Sequence, residues 1–208
     1  MTRPEDRARA AATINPDSLE VAKGAIAVGC QPFLKRLDRL ERGLSNVRTA
    51  PDAGRFARAL SMYLLASLPL RPEVCPFCVQ HSGGNRCQGC GYAKTHGGRC
   101  DAETSAFGQL IESVYDLAGL IHAIREDPPA EAVDPEEAKK GLGGSIARSR
   151  EAADRLLAEL AGADVFGLME AKRGYIGAIL DALPAGIIGS QEVDRAIEDV
   201  KSKLERYW

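Results

Sequence analysis

The chain has no apolar run that approaches the roughly 18 residues of a membrane span. Its opening residues, Met1-Thr2-Arg3-Pro4-Glu5-Asp6, are charged and have no apolar stretch behind them. Neither a membrane helix nor a secretory signal is expected, and the expected location is cytoplasmic. There is little net charge, −2 over the whole chain, which excludes a global pull toward nucleic acid or anionic lipid. No run of alternating β-branched residues is long enough for a sheet. A nucleophile elbow and a dinucleotide fingerprint are both missing. The Glu-x-x-His motif of di-iron bundles is missing too, so Glu112, Asp116, Glu126 and Asp127 read as solvated faces. Gly141-Leu142-Gly143-Gly144-Ser145 lacks the lysine and the preceding strand of a phosphate loop, and reads as a helix break.

What is present is helical periodicity over 208 residues that are 45% apolar and 27% charged. That suits one globular domain with a small insert. Residues 1–14 read as a frayed, Ala/Arg-rich leader. Cys30, Phe33, Leu37, Leu40, Leu44 and Val47 share one helical stripe, with Pro32 in the first turn or at a kink. Pro51-Asp52 opens a second helix that ends before Leu70-Arg71-Pro72. Asp101 is a candidate N-cap for a long helix bearing Phe107, Leu110, Val114, Leu117, Ile121 and Ile124. The stretch 126–134 is an acidic, Pro-rich linker. Asp134-Pro135-Glu136-Glu137 then combines an N-cap, a proline at the first helical position and a glutamate placed for a capping box. Further helical signal runs to Leu160, from Phe166 to Leu183, and from a cap at Ser190 to Leu204. Such amphipathic helices bury their stripes only against one another. The expected fold is therefore an all-α bundle of about six helices spanning 1–208, its apolar spacing equally suited to a homodimer seam or a protein partner.

Five of the six cysteines lie between Cys75 and Cys100. They form Cys75-Pro-Phe-Cys78, Cys87-Gln-Gly-Cys90 and Cys100, with His81 and His96 among them. Clustered cysteines in a chain with no export signal point to metal or redox chemistry more than to disulfides. A Cys-x-x-Cys turn aims two sulfurs at one ion while its amides stabilise their charge, and Gly91 suits a positive φ after Cys90. Cys75, Cys78, Cys87 and Cys90 make a closed tetrahedral four-thiolate site, the two pairs joined by a short hairpin over 75–90. Cys100, His96 and His81 are the alternative ligands. The expected metal is zinc, with an iron–sulfur cluster as the alternative, because all-sulfur ligands do not separate the two. Residues 72–101 are then a metal-binding insert in the bundle. Cys30 reads as a buried core thiol, and His122 as an ordinary helix histidine.

Three resemblances attach to this segment. Cys87-x2-Cys90-x5-His96-x3-Cys100 resembles the Cys-Cys-His-Cys zinc knuckle of nucleic-acid-binding proteins, with its histidine one residue later than in that family. With Arg86, Lys94, Arg99, Phe77 and Tyr92 nearby, that resemblance implies a single-strand binder. Cys75-Pro76-Phe77-Cys78 resembles the glutaredoxin active-site tetrapeptide, which implies dithiol chemistry at a helix N-terminus after a strand. The whole string over residues 75–100 is similar to Cys-rich segments of bacterial and phage proteins, which implies a metal-binding module and no particular activity. A closed thiolate site leaves no open position for substrate. The expected function is accordingly a non-enzymatic interaction or regulatory protein with structural zinc, the alternative being an iron–sulfur redox carrier, sensor or enzyme subunit.

Overall fold

A computed structural model describes residues 4–83, 87, 89–95, 97–125 and 134–207. Among these residues there are ten α-helical segments and no strand. Six are long: α2 (Pro16–Gly43), α3 (Ala50–Ala66), α6 (Ala106–Ala123), α7 (Pro135–Leu160), α8 (Val165–Ala182) and α10 (Gln191–Leu204). Four are short: α1 (Pro4–Ala11), α4 (Pro76–Gln80), α5 (Gly91–Thr95) and α9 (Ala185–Ile188). The all-α expectation holds, with the short segments added to about six long helices.

Local chemistry accounts for most helix starts. Asn15 accepts a hydrogen bond from the Ser18 amide and Pro16 begins α2. Thr49 and Asp52 form a reciprocal capping box at α3. Asp134 caps α7 through the Glu136 amide, ahead of Pro135, and Ser190 caps α10 through the Val193 amide. Each cap satisfies amide groups that the helix itself leaves without a partner.

Four expectations are corrected. The N-terminal leader is a helix, α1, whose Ala10 and Ala11 are buried. α2 starts at Pro16, so Pro32 sits in its interior rather than in its first turn. Asp101 does not cap α6; Ser105 does, through the Gly108 amide at 2.8 Å. The glycines at 141–145 break nothing. α7 runs through them because Leu142, Ser145 and Ile146 are buried there, and packing outweighs the weak propensity of glycine. The stretch 126–133 lies outside the described residues.

One contiguous core joins all the long helices. α7 packs along α8, α10 packs along α6, and α2 and α3 close the bundle against α7. Arg150 of α7 reaches two acids of α2, Asp38 at 2.6 Å and Glu41 at 3.0 Å. No helix among the described residues is long and apolar enough to cross a membrane.

Candidate functional site

The Cys-rich segment leaves α3 through a short 3-10 turn, Pro72–Val74, and enters α4. The expected hairpin is replaced there by helix: Pro76 occupies the first turn of α4, where its fixed φ and missing amide suit a helix start. Cys75 becomes the N-cap residue of α4 and is buried. The amides of Phe77 and Cys78 lie near its sulfur without making a capping hydrogen bond to it. Cys90 stands in the same relation to α5: it is buried directly before Gly91, and the amides of Tyr92 and Ala93 lie near its sulfur. The nearby amides favour the thiolate at both sulfurs, but only at Cys75 is burial outweighed.

Gly91 has an ordinary negative φ; among the described residues of this segment the positive values fall on Gly89, Gly97 and Gly98. Its role is steric instead. A Cβ there would lie 2.9 Å from the Ala10 Cβ, so only glycine lets α1 and α5 approach this closely. Gln80 adds a second tie to the N-terminal region, accepting from the Asn15 amide at 2.7 Å and donating to the Thr13 carbonyl at 2.8 Å.

An aromatic wall backs the thiols. Phe77 stacks on Tyr92 with centroids 5.1 Å apart, and Tyr92 and Phe107 meet Tyr207 at 6.5 and 5.4 Å. The buried Tyr92 hydroxyl donates to the Tyr207 carbonyl at 2.7 Å, which fastens the end of the chain over the site. Lys172 of α8 is fully buried behind Cys75. Its Nζ donates to the Val74 carbonyl at 3.0 Å and lies 5.8 Å from the Tyr207 ring centroid. A cavity of about 150 Å³ opens between these groups, lined among others by Cys75, Cys78, Cys100, Lys172, Tyr92 and Tyr207.

The electrostatics follow from this packing. The Cys78 thiol donates to the Cys75 sulfur, and that bond holds Cys75 below the ordinary thiol range against its burial, with help from Lys172 and the two amides. Cys78 is pushed up by the same hydrogen bond, by burial, and by the neighbouring Cys75, Cys100 and Cys90. Burial raises Cys100 to about 12, with Cys75, Cys90 and Cys87 adding to it. Burial raises Cys90 as well, and its two amides oppose that. Burial works against the charge of Lys172, but Tyr207 and Cys75 outweigh it and keep its pKa above the ordinary lysine range.

Cys75, Cys78, Cys90 and Cys100 interact electrostatically, and Cys87 acts on Cys90 and Cys100 as well while its side chain is engaged by Arg99. Arg99 is itself anchored bidentately on Asp101, at 3.1 and 2.8 Å. His81 lies at the C-cap of α4. His96 lies outside the described residues. Cys30 is buried in α2, as expected of a core thiol, and His122 is exposed on α6. Among the described residues, no three Cys, His, Asp or Glu side chains are gathered closely enough to hold an ion as they stand.

Lys172 and Tyr207 were not legible as site residues. The available signal was Lys172 on the apolar stripe of α8, between Leu168 and Ile176. For Tyr207 it was its place in an aromatic pair, Tyr207-Trp208, beyond the last helical turn. No known family model, curated protein or solved structure matches this chain.

Proposed function

We propose that the protein is a metal-binding helical interaction or regulatory protein, in which a structural zinc ion staples the 72–101 segment onto the bundle. One observation carries the reading. Cys75, buried at the head of α4 and lining a small cavity with Cys78 and Cys100, is held below the ordinary thiol range by the Cys78 thiol, with help from Lys172 and two nearby backbone amides. Neighbours of this kind stabilise the thiolate form that a metal requires.

Cys78 and Cys100 line the cavity beside Cys75, and Cys90, which interacts electrostatically with Cys75, makes the fourth of the proposed set. Spacing alone suggests Cys87 as the fourth ligand; the proposal puts Cys100 in its place, since Cys100 lines the cavity and the Cys87 side chain has a partner in Arg99. Closing the set around one ion takes rotation of the cysteine side chains, because the Cys75–Cys78 hydrogen bond has to give way to two metal bonds. A four-thiolate ion has no open position, so the role is structural rather than catalytic.

Anaerobic purification followed by an absorption spectrum and elemental analysis tests this. The expected result is a colourless protein with one zinc per chain. A brown protein with iron and sulfide moves the reading to an iron–sulfur protein. Serine variants then sort the ligands. Cys100→Ser loses the ion and Cys87→Ser keeps it; the reverse pattern restores the four ligands expected from spacing.

The hydrogen-bonded Cys75–Cys78 pair at the start of α4 supports a second reading, a reversible dithiol. It predicts metal-free protein in which these two thiols alone form a disulfide under mild oxidation.

A further inference from the structure

Helix α2 carries a face that the fold leaves uncovered. Asp17, Val21, Gly24, Val28 and Pro32 are all exposed on it, and so are Lys35 and Arg39 further along. Val28 is 69% exposed and Val21 57%, and these are two of the four large apolar side chains exposed among the described residues. The steps between the seven positions are 4, 3, 4, 4, 3 and 4. Asp17, Val28 and Arg39 are therefore spaced by 11 residues, which keeps them in line on a straight helix. The series reads the same in both directions about Val28.

The centre of this face has no charge and few large side chains. A Cβ added at Gly24 or Gly29 would meet nothing within 4 Å, so packing inside the chain requires neither glycine. Both nevertheless stand mid-helix, where glycine weakens a helix relative to alanine. A groove of about 450 Å³ runs alongside, walled by Ala25, Gly29 and Pro32 of α2 and by Ala66 of α3, with Tyr63 and Tyr175 also lining it. The two ends of the face carry opposite charge: Asp17 at the N-terminal end, Lys35 and Arg39 at the C-terminal end. Asp17 and Arg39 make no ion pair among the described residues.

We propose that this face is a homodimer interface, with two copies of α2 packed antiparallel about a two-fold axis at Val28. A patch whose two ends carry opposite charge is complementary to its own copy laid antiparallel, as an isologous contact requires. The axis sets Val28 against the partner's Val28. Gly24 meets the partner's Pro32, and the close approach uses the missing side chain of the glycine. Val21 lies under the aliphatic stem of the partner's Lys35. Asp17 meets the partner's Arg39, and the symmetric pair closes the other end. Pro32 has no amide, which leaves the Val28 carbonyl without its helical donor; the partner's Gln31, one turn from the axis, supplies one.

Sedimentation equilibrium of the full chain tests the proposal at concentrations up to roughly 100 µM. The wild type is expected to be a dimer. Val28→Glu places two carboxylates on the axis and gives a monomer, with unchanged helical circular dichroism because Val28 is exposed. Asp17→Arg and Arg39→Asp each break two symmetric rim pairs and weaken association about tenfold, and the double variant recovers it. A monomeric wild type overturns the proposal, as does a dimer indifferent to Val28→Glu. A double variant no tighter than either single variant overturns the antiparallel register.

Discussion

Replacing Lys172 by methionine removes a charge buried against the thiols. Methionine keeps most of the stem volume, so no large cavity forms and the change removes chiefly the ammonium. Three contacts go with it: the hydrogen bond to the Val74 carbonyl at 3.0 Å, the placement 5.8 Å from the Tyr207 ring centroid, and the charge facing Cys75. Deleting a buried charge can relieve desolvation, but the raised pKa of Lys172 means that the folded state favours its ammonium over what water offers. That contribution is fully present below the ordinary lysine range and is lost as pH rises through the elevated folded value. The largest identifiable cost is the orphaned Val74 carbonyl, about 1–3 kcal/mol. This is a substantial share of the roughly 5–15 kcal/mol that holds a domain together. Urea denaturation at neutral pH reads it as a lower midpoint with an unchanged slope. Lys94→Met, on the exposed face of α5, serves as the control, with an expected change within about 0.5 kcal/mol. Amide exchange should speed up at 72–75 and near Tyr207 before it does in α7. A Lys172→Met protein as stable as the control variant, or more stable than wild type, would show that the Val74 carbonyl and the aromatic wall do not hold the ammonium as described.

Two further outcomes are expected. Chelation, or Cys75→Ser, should deprotect 72–101 in hydrogen exchange and expose it to protease while helical circular dichroism falls only modestly, because the long helices share a core of their own; acid should mimic chelation, since protons compete for thiolates. Asp52 is held below the ordinary carboxylate range first by the Thr49 hydroxyl and then by the Arg48 amide, so its contribution is present above that range and fades as pH falls through the depressed value. Thr49→Ala should raise the Asp52 pKa in a carboxyl titration by NMR and move the acid limb of the stability curve upward; an unmoved pKa would refute the capping box.

Long-range order along each helix was legible because apolar stripes and caps are local signals. Pro51, Asp134-Pro135 and Ser190 mark the starts of α3, α7 and α10 by chemistry confined to one turn, whereas the starts of α2 and α6 were misplaced. The glycines at 141–145 misled, because Leu142, Ser145 and Ile146 are buried by neighbours that no local window contains. Residues 1–14 misled for the same reason: Ala10 gains its burial from Gly91, far along the chain. At the thiol cluster, sequence alone supplied the five cysteines and the idea that paired thiolates gather there. Only tertiary structure set Lys172, Phe107 and Tyr207 beside them, turned Cys75 and Cys90 into the heads of short helices, and drew Cys87 toward Arg99. Residue type and spacing determine what a side chain can do chemically. Which groups share one desolvated volume is decided by packing between segments up to 115 residues apart, as at the Tyr92–Tyr207 hydrogen bond, and the neighbours gathered there hold Cys75 toward the thiolate against its burial.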